Sequence, residues 1–257
     1  MSYLNEIKSF ITYNSEFKPN LTIRMEIESG KAAETITTID NHLDAFIDLI
    51  NNDIENILIG YNVTNQLVID EIISNLPKEL NRKIPNELLF GLSITVSKLA
   101  SMFYGIDLYR YLAGPKKINY PVVLLNKDNE QVFFELNDLS KPIGKLLKTD
   151  KIEKIKDKLS TTLFLDLYSI NQTTINNLNK TYPNLLFISN KDLNNAYKYT
   201  NINDFKTISD LLSERVDFIN SKYIDASLAD IAIALNVKYL SVTSDVLNRL
   251  ISIINLE

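Results

Sequence analysis

Residues 86–114 read NELLFGLSITVSKLASMFYGIDLYRYLAG, and this stretch decides the first half of the fold. Large apolar residues recur in it every three or four positions, which is the spacing of one buried helix face. These residues are Leu88, Leu89, Leu92, Val96, Leu99 and Phe103. Pro85 precedes the run and Gly105 follows it, as is typical of a helix start and a helix end. The pattern predicts a long buried helix, with a short helix near 108–112 behind it.

Upstream of this helix, the chain predicts a hairpin and two more helices. Residues 8–13 and 21–27 are strand-like, and the second run alternates apolar with polar side chains. The turn-forming residues 14–20 lie between the two runs, which favours a hairpin. Helical spacing follows at Ile36, Ile39, Leu43, Phe46, Ile47 and Ile50. Thr64 is placed to cap a further helix with the buried residues Leu67, Val68, Ile72 and Ile73.

Downstream of residue 118, short apolar runs alternate with helical ones, which indicates parallel strands joined by crossover helices. The predicted strands are 122–125, 132–136, 163–167, 185–188, 198–201, 217–220 and 239–242. The predicted helices are 143–159, 174–179, 205–212, 228–235 and 246–254. A full eightfold barrel typically needs about 250 residues. The expected fold is therefore α/β: an α+β domain over 1–118, then a reduced or incomplete (β/α) barrel over 119–257.

Composition excludes several function classes. The chain has 257 residues, a net charge of −5 and 45% hydrophobic residues, which argues against a nucleic-acid surface. There is no cysteine, so disulfides, thiolate zinc sites and cysteine nucleophiles are excluded. The N-terminal residues lack a signal-peptide layout, and no apolar run approaches the ~18 residues that span a membrane. The expectation is a soluble, cytoplasmic protein. Its one histidine, His42, is expected in a surface or half-buried structural role.

Several segments, taken in order, resemble enolase. Residues 5–28 resemble its opening strand, turn and second strand, and Gly30-Lys31 with 39–41 resembles a helix start of that family. Asn62-Val63-Thr64 with Gln66, Ile69 and Asp70 resembles the next helix, residues 86–114 are the clearest match, and LADIAIAL at 228–235 resembles a helix near the family's end. The resemblance implies an enolase-type N-terminal domain followed by a TIM-type barrel. Because enolases are homodimers, it also implies a homodimer.

The resemblance also implies a reaction, whose residues are mostly missing here. Enolases dehydrate 2-phosphoglycerate with a lysine base, and magnesium stabilises the ene-diolate. Asp166 corresponds to the first of three acidic metal ligands, and Glu135 corresponds to a catalytic carboxylate. More often, an acid at such a position only caps a turn or a helix.

The other positions of that site carry different chemistry. The second acidic ligand has no counterpart, and the third falls on Asn190 or Lys191, with Asp192 one step out of phase. Asn201 and Ser241 stand where the family has its two active-site lysines. Residues 217–221 replace a Ser-His-Arg-Ser phosphate-binding strand end, and 127–130 replace a Gly-Gly-Ser-His loop.

These departures favour a pseudoenzyme related to phosphopyruvate hydratase, without a cofactor, that acts through a protein partner or as a homodimer. Glu135 and Asp166 are then vestigial positions. Two alternatives stay open. One is an enolase-superfamily enzyme with a rebuilt active site, a lyase acting on a small phosphorylated or carboxylate metabolite. Its acid, base or ligand would be Glu135, Asp166, Lys191 or Asp192, with magnesium only in that case. The other is a small-molecule sensor.

Overall fold

The structure is a computed structural model that describes residues 1–14, 16–39, 42–115, 117–127, 130–148, 162–166, 172–181, 186–189, 196–219 and 225–256. The chain forms two compact units. The first comprises 1–116, 202–214 and 222–231, and the second comprises 117–201, 215–221 and 232–257. The first unit thus draws on two segments from the second half of the sequence. The expected domain boundary after residue 118 stays a prediction.

The first unit begins with a three-stranded antiparallel sheet in the order β1–β2–β3. The strands are β1 Leu4–Tyr13, β2 Pro19–Ile27 and β3 Ala32–Thr37. The hairpin of β1 and β2 confirms the prediction from the alternating pattern. Strand β3 corrects the expected helix start after Gly30-Lys31. Ala33, Thr35 and Thr37 are buried while the residues between them are more exposed, and this period of two is that of a strand.

Helices cover one face of this sheet. They are α1 Leu43–Asp48, a π-helical turn Leu49–Ile54, α2 Glu55–Leu58, α3 Gln66–Glu79, α4 Asn86–Tyr104 and α5 Leu108–Ala113. Helix α4 has the predicted bounds, and Gly105 ends it with a φ of 69°. Its predicted stripe is buried except for Phe103. The core forms between this stripe and the inward residues of β1 and β2, such as Ile7, Ile23 and Met25.

Helix α3 buries a different face from the one that we predicted. Leu67 and Val68 are exposed, whereas Ile69, Ile73 and Leu76 are buried. The buried face also carries Asp70, a polar residue that an apolar pattern does not assign to a core. The N-cap position of the helix is occupied by Asn65 and not by the predicted Thr64.

The described residues of the second unit form eight strands, whose pairing closes into a ring in the order β10–β11–β4–β5–β6–β7–β8–β9. They are β4 Val122–Lys127, β5 Glu130–Glu135, β6 Asp138–Lys148, β7 Thr162–Asp166, β8 Leu186–Ser189, β9 Ala196–Thr200, β10 Phe218–Ile219 and β11 Tyr239–Ser241. Seven strands run parallel, and β5 runs antiparallel to both of its neighbours. Phe133 packs against Tyr239 and Phe218 inside the ring, with ring centroids 5.5 and 6.3 Å apart.

The closed ring shows that the expectation of an incomplete barrel with seven strands is wrong. The missing strand is β6, whose residues 143–148 lie in the segment that we predicted to be helical. Pro142 lies within β6, and the register with β5 shifts at this point, so the strand carries the proline at a bulge. Lys141 and Lys145 are exposed, which hides the strand from a search for apolar runs.

The other helices in the described segments are α6 Gln172–Thr181, α7 Ile208–Leu212, α8 Ser227–Ala234 and α9 Ser244–Ile254, with a 3-10 turn at Ile202–Asp204. Thr207 caps α7 by accepting a hydrogen bond from the Asp210 amide, and Thr243 caps α9 in the same way through Val246. No helix in the described parts of the chain is both long and apolar enough to cross a lipid bilayer.

Candidate functional site

The side of the ring where the seven parallel strands end is called the carboxyl edge here, and the opposite side is called the amino edge. In barrels of parallel strands, the side chains that perform chemistry come from the carboxyl edge. The described strand ends on this edge are Lys127, Lys148, Asp166, Ser189, Thr200, Ile219 and Ser241. Glu130 also lies there, because the antiparallel β5 begins where β4 ends and pairs with Lys127. This edge is the candidate active site of the second unit.

Asp166 is the last residue of β7, on the carboxyl edge. Its backbone is paired with Lys148, the last residue of β6, and with Ile188 of β8. Neighbouring strands lie about 4.8 Å apart. The backbone positions of Asp166 and Lys148 are therefore close together, at the ends of adjacent strands. An acid and a base at such positions are the residue types that proton transfer requires.

Glu135 lies on the opposite side of the ring. It ends the antiparallel β5 and pairs with Asp138, the first residue of β6. Asp166 pairs with the last residue of that same eleven-residue strand. Val132 and Leu163 both pair with Lys145, and Glu135 and Asp166 each lie three residues further along, in opposite directions. At ~3.3 Å per residue, the backbones of Glu135 and Asp166 are therefore roughly 20 Å apart. The structure therefore does not bring the two candidate acids together.

This separation bears on magnesium, which the resemblance to enolase implies. Magnesium is held in near-octahedral geometry by several oxygen ligands about 2.1 Å from the ion. Glu135 and Asp166 cannot bind one ion across the length of β6. Within the described residues, no three side chains of His, Cys, Asp or Glu lie close enough to hold a metal ion. The two acids that we assigned from the sequence thus do not fit a shared magnesium site.

The other positions named from the sequence are distributed as follows. Asn201 directly follows β9 and Ser241 ends β11, so both lie at the carboxyl edge and both are partly exposed. Asn190, Lys191 and Asp192 lie outside the described residues, as do 128–129 and 220–224. His42 directly precedes α1 and is exposed, in line with a surface position.

Asp217 lies on the amino edge, directly before β10. It is 6% exposed, accepts a hydrogen bond from the Lys198 amide at 3.1 Å, and forms ion pairs with Arg215 at 3.1 Å and Lys238 at 3.7 Å. Its backbone carbonyl also accepts the amides of Lys238 and Tyr239. These contacts join β10 to its two neighbouring strands, β9 and β11, so the residue stabilises the ring.

The first unit contains a buried polar cluster around Asp70 that our reading of the sequence did not identify as a site. One carboxylate oxygen accepts hydrogen bonds from Gln66 at 2.8 Å and Ser93 at 2.6 Å. The other accepts from the amide and the hydroxyl of Ser209, at 3.1 and 2.5 Å. Burial raises the pKa of Asp70, and these hydrogen bonds partly offset that rise.

This cluster holds a short helix. The Ser93 hydroxyl accepts the Ile208 amide at 2.9 Å, so two amides in the first turn of α7 are bound by side chains of α3 and α4. Amides at a helix start have no partner within the helix, and a carboxylate is a favourable acceptor for them. Because Asp70 is 3% exposed, the cluster is a means of attachment rather than a surface for a ligand.

A second carboxylate attaches the segment 225–231 to the rest of the first unit. Asp225 forms an ion pair of 2.7 Å with Lys98 and accepts hydrogen bonds from the Ile36 and Ser227 amides. Burial opposes ionisation of Asp225, but the Lys98 ammonium and these hydrogen bonds outweigh it and hold its pKa below the usual range. A third carboxylate, that of Asp230, accepts a hydrogen bond from the Tyr109 amide at 3.2 Å.

The fold class is mixed α/β, with an α+β unit and a closed ring of mostly parallel strands. A solved structure of an isomerase candidate from Sinorhizobium meliloti, in an open-loop conformation, matches with a TM-score of 0.66 and 12% identity. The match covers 95% of this chain and 89% of that one, and it shows the shared fold alone. No family model matches the chain.

Sequence comparison identifies the relationship more narrowly. Enolase of Mycoplasma mobile is 29% identical over 131 residues, which is 48% of this chain and 29% of that enolase. Enolase of Saccharolobus solfataricus is 30% identical over 81 residues, and that of Sulfurisphaera tokodaii is 26% identical over 141. The protein is enolase-like. The matched segments span only 19 to 33% of the length of these enolases. A match of this extent does not assign the activity of those enzymes to this chain.

Proposed function

We propose that this enolase-like protein does not dehydrate 2-phosphoglycerate and instead acts through contacts with another protein chain. The observation that supports this most strongly is the placement of Glu135 and Asp166 on opposite edges of the ring. Two acids that far apart cannot act on one substrate or one metal ion. The proposal also places the protein in the cytoplasm, which cell fractionation tests.

The residues at the lysine positions support the same proposal. Asn201 and Ser241 occupy the carboxyl edge where the resemblance to enolase places two lysines. An amide and a hydroxyl have no basic form near neutral pH, and neither carries a positive charge for a carboxylate or a phosphate. Proton abstraction next to a carboxylate needs such a base.

An exposed apolar surface of the first unit supports the protein contact. Its four members lie at the end of α4 and directly after it, and each is 37 to 55% exposed: Met102, Phe103, Tyr104 and Ile106. Contiguous exposed apolar side chains commonly mark a site of protein association. Since enolases form homodimers, a second copy of this chain is the first partner to test, and a different protein is the other.

The catalytic part of the proposal is tested by a thermal-shift titration with magnesium and 2-phosphoglycerate, with turnover assayed on the same sample. A ligand that binds the folded state raises its apparent stability by about 2.7 kcal/mol at a hundredfold excess over Kd. We expect neither a shift nor turnover. Turnover that disappears in Asp166→Asn would show that the carboxyl edge is active and would overturn the proposal.

The contact part is tested by light scattering of the purified chain and by affinity capture. We expect a dimer or a captured partner that is lost in Tyr104→Glu/Ile106→Glu. Leu67→Glu is the matched control, because Leu67 is 73% exposed but lies outside this surface. A monomer that captures nothing, or a loss that Leu67→Glu causes equally, would count against the contact.

A rebuilt lyase site is a second candidate, and one observation favours it. Lys148 and Asp166 end adjacent strands on the carboxyl edge, and so provide a base and an acid on the edge that carries chemistry in parallel barrels. This candidate predicts turnover of a small carboxylate or phosphorylated metabolite that Lys148→Met and Asp166→Asn both abolish. Turnover that survives both substitutions would exclude it. Binding of such a metabolite without turnover would instead indicate that the protein is a small-molecule sensor.

A further inference from the structure

A cavity of about 330 Å³ opens on the amino edge of the ring, away from the candidate active site. It is lined by residues 119–122, which lead into β4, and by residues 135–137, which form the turn from β5 to β6. Its volume is at the lower end of the range for small-molecule sites. Its lining residues all belong to the second unit.

The polar groups of this cavity are acceptors of hydrogen bonds. Glu135 is exposed, and no residue in the described parts of the chain pairs with its carboxylate. The side-chain N–H of Asn119 donates to the side-chain oxygen of Asn236 at 2.8 Å, and the Asn119 side-chain oxygen is itself an acceptor. Asn137 is exposed and adds a second amide oxygen. The lining contains one carboxylate and no cationic side chain, so its charge is negative.

The rest of the lining is apolar and aromatic. Pro121 is buried, while Val122, Leu136 and Tyr120 are half-buried. Aliphatic side chains can contact the methylene groups of a ligand, and an aromatic ring favours a nearby cation. A carboxylate, amide oxygens and an aromatic side chain around a small apolar cavity are together the chemistry that recognises an alkylammonium group.

We propose that this cavity binds a small organic cation with a primary ammonium group. The ammonium group donates to the Glu135 carboxylate and to the amide oxygens of Asn119 and Asn137, and its carbon chain contacts Val122 and Leu136. The proposal gives Glu135 a binding role on the amino edge that is independent of any catalytic role on the carboxyl edge. It goes beyond the proposed protein contact and does not depend on it.

The test is an NMR titration of the full chain with 1,4-diaminobutane, and with 1,4-butanediol as the neutral molecule of equal length. We expect the amide signals of residues 119–122 and 135–137 to move with the diamine and not with the diol. Loss of a charged hydrogen-bond acceptor in Glu135→Gln should weaken binding by about tenfold. Glu135→Lys should abolish it.

Glu130→Gln is the matched control, because Glu130 begins the same strand and lies roughly 16 Å from Glu135 along the chain. It removes the same charge and should leave the diamine affinity unchanged. Equal shifts with the diol, an unchanged affinity in Glu135→Gln, or an equal loss in Glu130→Gln would each overturn the proposal. Since Glu135 is exposed, circular dichroism should show that the variants keep the fold.

Discussion

Lys98 is held between two acceptors in the first unit. Its ammonium lies 2.7 Å from the Asp225 carboxylate and 2.7 Å from the backbone oxygen of Glu34. The two side chains of the ion pair are 18 and 8% exposed. At this burial, the loss of one partner leaves a charge that water cannot solvate.

Replacing Lys98 by Met should therefore lower the free energy of unfolding by about 3–5 kcal/mol, measured by urea unfolding. Arg82→Met is the matched control, since its ion pair with Asp53 is 58 and 40% exposed. Exposed pairs contribute about 0–1 kcal/mol, so the control should change little. Equal losses in both variants would show that the ion pair is not the cause.

Asp70 and Asp225 should give stability opposite dependences on pH. The folded-state pKa of Asp225 is lowered, so its contribution is present above the unfolded pKa and is lost as the pH falls through the folded one. The pKa of Asp70 is raised, so its contribution is present below the unfolded pKa and is lost as the pH rises through the folded one.

We expect the free energy of unfolding, measured with urea at pH 7 and at acid pH, to depend differently on pH in the wild type and the two variants. Asp225→Asn should lose less stability on acidification than the wild type, because it lacks the group that must be protonated. Asp70→Asn should lose more, because it lacks the group that offsets the loss. Parallel curves for the three proteins would contradict the assigned pKa directions.

At the scale of elements, α4 approaches β2 and β3 closely at Gly91. A Cβ on Gly91 would lie 2.3 Å from the Thr37 methyl group and 3.0 Å from a terminal carbon of Ile23. Thr37 is fully buried and its hydroxyl donates to the Leu21 carbonyl, so its side chain cannot turn away freely. Glycine at this position sets the distance between helix and sheet.

Gly91→Ala should thus destabilise the protein by about 1–3 kcal/mol through overpacking. In an unconstrained helix the same change would stabilise by about 1 kcal/mol, so the sign is diagnostic. Thr37→Ser removes the clashing methyl group and keeps the hydroxyl, and it should recover part of the loss in the double variant. The free energies of unfolding of both single variants and of the double variant, measured with urea, test this prediction. A stabilised Gly91→Ala would show that α4 is not tightly packed here.

The elements also show which patterns local sequence reveals. Helix α4 was predictable because its apolar spacing, Pro85 and Gly105 all agree. Strand β3 was missed because Ile36 and Ile39 happen to continue a helical period. Strand β6 was missed because a proline and exposed lysines interrupt its apolar residues, and only pairing with β5 and β7 stabilises it.

At the scale of the whole molecule, the first unit depends on distant sequence. Ser209 and Ile208 bind the Asp70 cluster, Asp225 binds Lys98, and Asp230 accepts the Tyr109 amide. A boundary drawn after residue 118 separates these partners from one another. Local patterns do not reveal such attachments, because each is a polar contact between residues more than 100 positions apart, and some of these contacts use a backbone amide.

A fragment of residues 1–118 should consequently be less stable than the same residues in the full chain. The fragment lacks Ser209, which donates two hydrogen bonds to Asp70, and Asp225, which pairs with Lys98, so we expect faster amide exchange in α3 and α4. Lys98→Met provides an internal control: it should cost about 3–5 kcal/mol in the full chain and almost nothing in the fragment. Full-length protection of α4 in the fragment would show that the two segments are dispensable.

The sequence alone determined helix α4, the first hairpin, the resemblance to enolase and the absence of cysteine, because these depend on residue type and short-range spacing. Tertiary structure alone decided that the ring closes and that Glu135 and Asp166 lie on opposite edges. Both outcomes depend on strand direction and pairing. A short apolar run has the same composition whichever way it is paired, so direction becomes defined only when neighbouring strands form their hydrogen bonds.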